Sequence, residues 1–261
     1  MTRLRFTLFS SIGLAALAPL ASFGQSANAQ EAAAPAAVPA EEQVYLNEPE
    51  PAPEPAVVGE GPVKEEYEPG KTRVERQVRK MSDDTFVNHG KFVEYYRNGQ
   101  KFAEGNYENG VHEGPWSFWH ENGQLAKTVT FSKGQPNGEW EAYRADGTLL
   151  SKRAYKNGQR DGTWVLYYED GKTPSIEQSY VDGKLNGTVT VYFKSGKPRI
   201  QTQFKDNLRE GKVTEWDESG RKTGEAEYAG GKLNGKLIRY APDGTTTEEV
   251  FQDNKRVPTG Q

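Results

Sequence analysis

Residues 137–158 read Asn137-Gly138-Glu139-Trp140-Glu141-Ala142-Tyr143-Arg144-Ala145-Asp146-Gly147-Thr148-Leu149-Leu150-Ser151-Lys152-Arg153-Ala154-Tyr155-Lys156-Asn157-Gly158. The first run after Gly138 is short and rich in aromatic residues, as strands are. Asp146-Gly147 follows, a pair able to supply the two positive φ angles of a type I′ hairpin turn. A second run ends at Tyr155, and three residues later Gly158 marks the next turn. No apolar period of 3.6 residues is present, which argues against helix. The stretch is therefore read as one β-hairpin.

The same unit recurs on both sides. Gly90, Gly114, Gly138, Gly162, Gly187, Gly211 and Gly235 stand 24 or 25 residues apart. Two residues after each lies a bulky apolar side chain: Phe92, Trp116, Trp140, Trp164, Val189, Val213 and Leu237. Five residues after each lies an aromatic: Tyr95, Trp119, Tyr143, Tyr167, Tyr192, Trp216 and Tyr240. A closing series completes the unit: Tyr107, Phe131, Tyr155, Tyr180, Phe204, Tyr228 and Phe251. The mid-unit pairs run from Asn98-Gly99 to Asp243-Gly244. The closing turns fall at Gly110, Gly134, Gly158, Gly183, Asn207, Gly231 and Asn254, with asparagine as the best non-glycine residue at positive φ. Unit four carries one extra residue near 172–174, read as a bulge or longer turn, and unit seven loses one before Phe251.

Short links between hairpins predict an all-β fold: an elongated antiparallel meander of seven hairpin repeats forming a single-layer twisted sheet. Seven units supply about 14 strands, which at about 4.8 Å each extend on the order of 65–70 Å. The plus-two and plus-five residues have opposite parity and face opposite sides of a regular strand, unless a bulge at the glycine brings them together. Such a sheet is held by cross-strand aromatic pairs and nearest-neighbour stacking in place of a central core. That accounts for a chain of 261 residues with 28 Gly and 11% aromatics but a hydrophobic fraction of only 34%.

The pattern of Asn137-Gly138-Glu139-Trp140, Tyr143, Asp146-Gly147-Thr148-Leu149 and Tyr155-Lys156-Asn157-Gly158 resembles the bacterial variant of the MORN repeat. The resemblance covers about 89–256, with Val189, Val213 and Leu237 replacing the tryptophan in units five to seven. It implies β-hairpin repeats and a binding or scaffolding role. Repeats of this variant occur in proteins named as antitoxins, and the wider family has been linked to membrane association.

Outside the repeats the chain changes character. Arg3 and Arg5 precede an apolar stretch over 6–20, and Ala27-Asn28-Ala29 precedes Gln30, in the order of a cleavable export signal. The apolar run is shorter than the roughly 20 residues of a membrane span, and no second such run follows. This predicts a signal peptide over 1–29, cut between Ala29 and Gln30, and a periplasmic or secreted protein. Residues 30–70 hold eight of the fifteen prolines, ten acidic residues and one basic one, a net charge of −9. They read as a disordered acidic linker that serves as a spacer. Residues 71–88 form a lead-in with a capping strand, for which a short helix fits 71–81 almost as well. The repeats fill 89–257, and 258–261 form a tail. Residues 71–261 carry 30 basic and 27 acidic residues, a net of +3 with the signs interspersed, so nucleic acid is not an expected partner.

The chain has no Cys and three His. The absence of Cys excludes disulfides, thiolate metal sites, Cys nucleophiles and a lipid-modified Cys. His112, Glu113 and His120 lack the spacing of a helical zinc motif, and the histidines are read as polar residues at recurring loop positions. Neither a nucleophile elbow nor a phosphate-binding loop occurs. No enzyme activity, cofactor or metal is expected. The leading expectation is a non-catalytic scaffold outside the cytoplasm that binds protein through exposed Trp116, Trp119, Trp140, Tyr143, Trp164 and Tyr167. A cell-wall or carbohydrate-binding module using the same rings is the alternative. An immunity-type inhibitor of a secreted toxin is implied by the resemblance alone. Open terminal strands also offer self-association by edge pairing.

Overall fold

The computed structural model describes residues 54–258. The export signal with its cleavage point, residues 30–53 and the last three residues lie outside them. Among the described residues there is no helix and a single antiparallel sheet of 19 strand segments. Two strands lead in, β1 (Val57–Glu68) and β2 (Lys71–Met81). The seven hairpins follow as β3 (Phe86–Tyr95) with β4 (Lys101–Glu108), β5 (Val111–Trp119) with β6 (Leu125–Ser132), and β7 (Gln135–Tyr143) with β8 (Leu149–Lys156). Then come β9 (Gln159–Arg160) and β10 (Gly162–Tyr167) with β11 (Pro174–Val181), and β12 (Lys184–Leu185) and β13 (Gly187–Tyr192) with β14 (Pro198–Lys205). Last are β15 (Leu208–Trp216) with β16 (Lys222–Ala229), β17 (Lys232–Tyr240) with β18 (Thr246–Gln252), and the short β19 (Lys255–Val257). Each hairpin strand pairs with the next, β9 with β10 and β12 with β13 being two parts of one strand along β8 and β11, so the expected meander is present. The segments beyond fourteen are the lead-in strands, β19, and two first strands interrupted just before Gly162 and Gly187.

The linker expected over 30–70 is corrected here, because residues 57–68 form β1 and residues 71–81 form β2 rather than a helix. Summed charge hid the complementarity of the two strands. Arg79 pairs with Glu60 at 2.5 Å, Arg76 with Glu65 at 3.1 Å, and Arg73 also binds Glu65. Acidic residues that repel in isolation are neutralised by the basic strand that follows.

The turn chemistry is the reverse of the expected assignment. At the mid-unit pairs only the glycine has positive φ, as at Gly99 (84°), while Asn98 does not. Gly99 N–H donates to the Tyr96 carbonyl, and Tyr96 N–H donates to the Gln100 carbonyl. This is a type I turn closed by a glycine bulge. Asn98 keeps an ordinary φ because its side-chain oxygen accepts from the Gln100 N–H at 2.9 Å, a local bond that Asn and Asp favour in turns. The paired positive angles of type I′ occur at the closing turns instead: Asn109-Gly110 (47°, 83°), Asp206-Asn207 (50°, 70°) and Asp253-Asn254 (49°, 66°). Asn207 and Asn254 do more than tolerate positive φ, since each side-chain oxygen accepts a backbone N–H, from Leu185 and Leu233, at 2.7 Å.

The extra residue of unit four lengthens its mid-unit turn, where Tyr168 N–H reaches the Thr173 carbonyl. In unit seven β17 and β18 pair without the register shift found at this place in the other hairpins, which accounts for the missing residue.

Two mid-unit turns carry acids held well below their ordinary range. Asp170 falls to about 2, chiefly through the Thr173 hydroxyl and then the Lys172 and Thr173 N–H groups. Asp217 falls to about 2, chiefly through the Ser219 hydroxyl and then Arg221. Both prefer to be ionised in the folded chain. Their contribution is complete above the ordinary carboxylate value and is lost as pH falls from about 3.8 towards about 2. An acid titration followed by near-ultraviolet circular dichroism should show lost stability in that window. Asp170→Asn combined with Asp217→Asn should flatten the loss there, and an unchanged acid limb would refute the assignment.

Candidate functional site: the plus-five face

Each first strand is bulged at its glycine relative to the preceding strand. Between β4 and β5 the pairing steps from Glu104↔Ser117 to Asn106↔Glu113. The bulge lies before the plus-two residue, so plus-two and plus-five side chains still point to opposite faces.

The plus-two face is the core. Trp116 is 2% exposed and Trp164 4%, while Val189, Val213 and Leu237 are also buried. The rings of Trp116 lie 5.7 Å from Phe92, 5.1 Å from Tyr107 and 4.3 Å from His112. Trp164 sits 5.1 Å from both Tyr155 and Tyr180. Trp140 lies 5.4 Å from Tyr155, with the Lys127 ammonium 5.0 Å above its ring. Buried hydrophobic clusters continue the row through Val189 and Phe204, then Val213, Tyr228 and Leu237. Trp116 and Trp164 are thus not exposed contact residues, and Trp140 is half-buried among core partners. The reason is cross-strand geometry: large rings on neighbouring strands cover one another. His112 is corrected in the same way. It lies in β5, stacked 4.9 Å from Phe131, and burial pushes its imidazole down. His89 is likewise in a strand, β3, and only His120 sits at a turn.

The plus-five face is different. Tyr95, Trp119, Tyr143, Tyr167, Tyr192, Trp216 and Tyr240 are all half-buried. Several hydroxyls donate to glutamates: Tyr95 to Glu75 at 3.1 Å, Tyr192 to Glu177 at 3.1 Å, Tyr240 to Glu225 at 2.9 Å, and Tyr143 to Glu141. Burial chiefly raises the Tyr95 and Tyr192 hydroxyls, while the carboxylate bond chiefly raises Tyr143 and Tyr240. Lysines balance most of these acids. Lys152 lies 2.7 Å from Glu141 and Lys222 lies 2.5 Å from Glu225, each holding its carboxyl below the usual range. The face is an aromatic row beside a ladder of ion pairs. Of the six expected contact residues, the fold gathers Trp119, Tyr143 and Tyr167 here.

One further series escaped the sequence reading. In units one to four the residue after the plus-five aromatic bonds the plus-five carbonyl of the next unit: Tyr96 to Trp119 at 2.9 Å, His120 to Tyr143 at 3.0 Å, Arg144 to Tyr167 at 2.8 Å, and Tyr168 to Tyr192 at 2.6 Å. Tyr67 does the same for Tyr95 at 2.9 Å. The signal was visible as a run of large hydrogen-bonding residues at a constant place, ending at Phe193. Tyr168→Phe should cost about 0.5–1.5 kcal/mol, read by denaturant melting with the fold retained. No measurable change would show the carbonyl is satisfied otherwise.

Five stretches match the family described as the MORN repeat variant: residues 88–109, 113–133, 136–157, 160–173 and 185–206. The chain carries MORN repeats of this variant across residues 88–206. Units six and seven continue the same hairpin geometry beyond the matched stretches, with Val213 and Leu237 buried where units two to four have Trp. No curated protein matches. Among solved structures, a mutant of S. aureus TarM crystallised with fondaparinux, alpha-GlcNAc-glycerol and UDP aligns at 15% identity and a TM-score of 0.16, over 56% of this chain and 22% of that chain. MORN repeats are generally interaction modules, and this chain is a repeat scaffold. Among the described residues no helix is long and apolar enough to cross a membrane, and no group of three or more His, Asp or Glu is placed to hold a metal.

Proposed function

We propose that the protein is a non-catalytic scaffold outside the cytoplasm that binds a protein partner along its plus-five face. The observation carrying this reading is the unequal use of the two faces. The plus-two rings pack against the closing aromatics, Trp116 and Trp164 fully buried and Phe92 and Trp140 half-buried, whereas all seven plus-five rings remain half-buried in one row with none fully covered. Aromatic rings rimmed by paired charges are the composition of protein-binding surfaces. Work outside the cytoplasm rests on the export pattern of residues 1–29.

The test is affinity capture from an extract of the export compartment, with the mature chain as bait. The control combines Trp119→Ala, Tyr143→Ala and Tyr167→Ala. A partner held by the native chain and lost by the triple variant is expected. Equal retention would move the contact off this face, and recovery of no specific partner would refute the reading. Sedimentation with peptidoglycan tests the glycan alternative, in which the mature chain pellets and the triple variant does not.

A further inference from the structure

Four second strands place a glutamate at one register, opposite the plus-three residue: Glu104 against Val93, Glu177 against Val165, Glu225 against Thr214 and Glu248 against Ile238. Opposite the neighbouring plus-five aromatic stand Lys101, Pro174, Lys222 and Thr246 respectively. Lys101 reaches Glu104 at 2.6 Å and Lys222 reaches Glu225 at 2.5 Å, while Glu248 is held by Lys236 of the facing strand at 2.7 Å. Pro174 has no cation to offer. Among the described residues Glu177 has no ion pair, and its carboxylate accepts the Tyr192 hydroxyl at 3.1 Å. Val165 and the buried Thr190 flank it across the neighbouring strands. Tyr167 pairs with Pro174 next to it.

The surroundings are therefore two half-buried tyrosines, a proline and a valine around a partly buried carboxylate. A cation with an apolar stem fits that chemistry. The stem packs on the rings, and the charged end meets both the carboxylate and the ring faces. A neutral side chain would leave the acid as it is.

We propose that Glu177, with Tyr167, Pro174 and Tyr192 around it, receives a lysine or arginine side chain of the protein partner. The inference rests on the scaffold reading above and names the chemistry of the partner's anchor.

The test is an NMR titration of the ¹⁵N-labelled mature chain at low salt. The probes are the blocked peptide Ac-Gly-Arg-Gly-NH2 and its neutral counterpart Ac-Gly-Gln-Gly-NH2. The arginine peptide should give saturable shifts centred on Glu177, Thr190 and Tyr192, and the neutral peptide none. Affinity should fall by about tenfold or more in Glu177→Gln and stay unchanged in Glu68→Gln, a carboxylate of β1 paired with Lys71 outside the site. Pro174→Lys, which restores the lysine of units one and six, should abolish the shifts with the sheet intact. Shifts that spread equally to Glu104 and Glu225, or that persist in Glu177→Gln, would overturn the proposal. A captured partner held equally by Glu177→Gln would also overturn it and leave the scaffold reading standing. Local shifts with no partner captured would instead sink the scaffold reading and with it the protein origin of the cation.

Discussion

Trp164→Ala is expected to destabilise the protein by about 3–5 kcal/mol, the range for emptying a large buried aromatic site. The side chain is 4% exposed, and its indole N–H donates to the Ala154 carbonyl at 2.9 Å. Tyr155 and Tyr180 lose their central partner, and Arg153 and Arg160 lose the ring lying 5.2 Å and 4.7 Å from their guanidinium carbons. The damage should be local. Strands in this sheet pack against their sheet neighbours, so stability is close to a sum over adjacent units. Hydrogen exchange should therefore accelerate first from β8 to β13 and least near β1 and β18. Loss below 1 kcal/mol in a denaturant melt would show that the ring is not a core element. Uniform acceleration along the whole chain would show that the sheet behaves as one cooperative block.

That locality explains how much could be read beforehand. Repeat period, hairpin order and the aromatic pattern are properties of single units, and each is written seven times. Parity alone assigned the plus-two and plus-five rings to opposite faces. Which face becomes core is not a property of parity. It follows from the closing aromatics, such as Tyr107 and Tyr155, which stand opposite the repeat glycines Gly90 and Gly138, two places from the plus-two residues and on their face, and leave the plus-five rings beside glutamates and lysines. Trp116 and Trp164 are therefore buried in the core, whereas Trp119, Tyr143 and Tyr167 lie on the half-buried plus-five face. The turn types were exchanged for a related reason. Asn-Gly and Asp-Gly satisfy either turn, and the choice is made by the strand pairing that follows. β1 was hidden because its acids were counted without the arginines of β2. The vacancy at Glu177 needed the register, since Pro174 is set against Lys101 and Lys222 only once the strands are aligned.

Gly105→Ala is the second large effect, and its sign separates packing from propensity. Gly105 does not have positive φ, so its backbone suits any residue. Exchanging such a glycine for alanine ordinarily stabilises a chain by about 0.4–1 kcal/mol through the unfolded state. Here an added methyl would land inside the Trp116 ring, which lies directly against the Gly105 backbone. The indole is tethered there by its N–H bond to the Asn106 carbonyl at 3.0 Å, and it is enclosed by Phe92, Tyr107, His112 and Phe131. It cannot retreat without opening the core of units one and two. The equivalent place beside Trp164 holds Arg153, whose guanidinium stands over the ring, so the close approach belongs to this site and not to the repeat as such. Overpacking of this kind costs about 1–3 kcal/mol. Gly59→Ala is the control, because no atom lies within 4 Å of a methyl added there, and it should be neutral or slightly stabilising. Thermal melts of the two variants should therefore move apart. A Gly105→Ala protein as stable as the native chain would mean that the Trp116 ring can shift, and the rigid aromatic row inferred for the plus-two face would have to be given up.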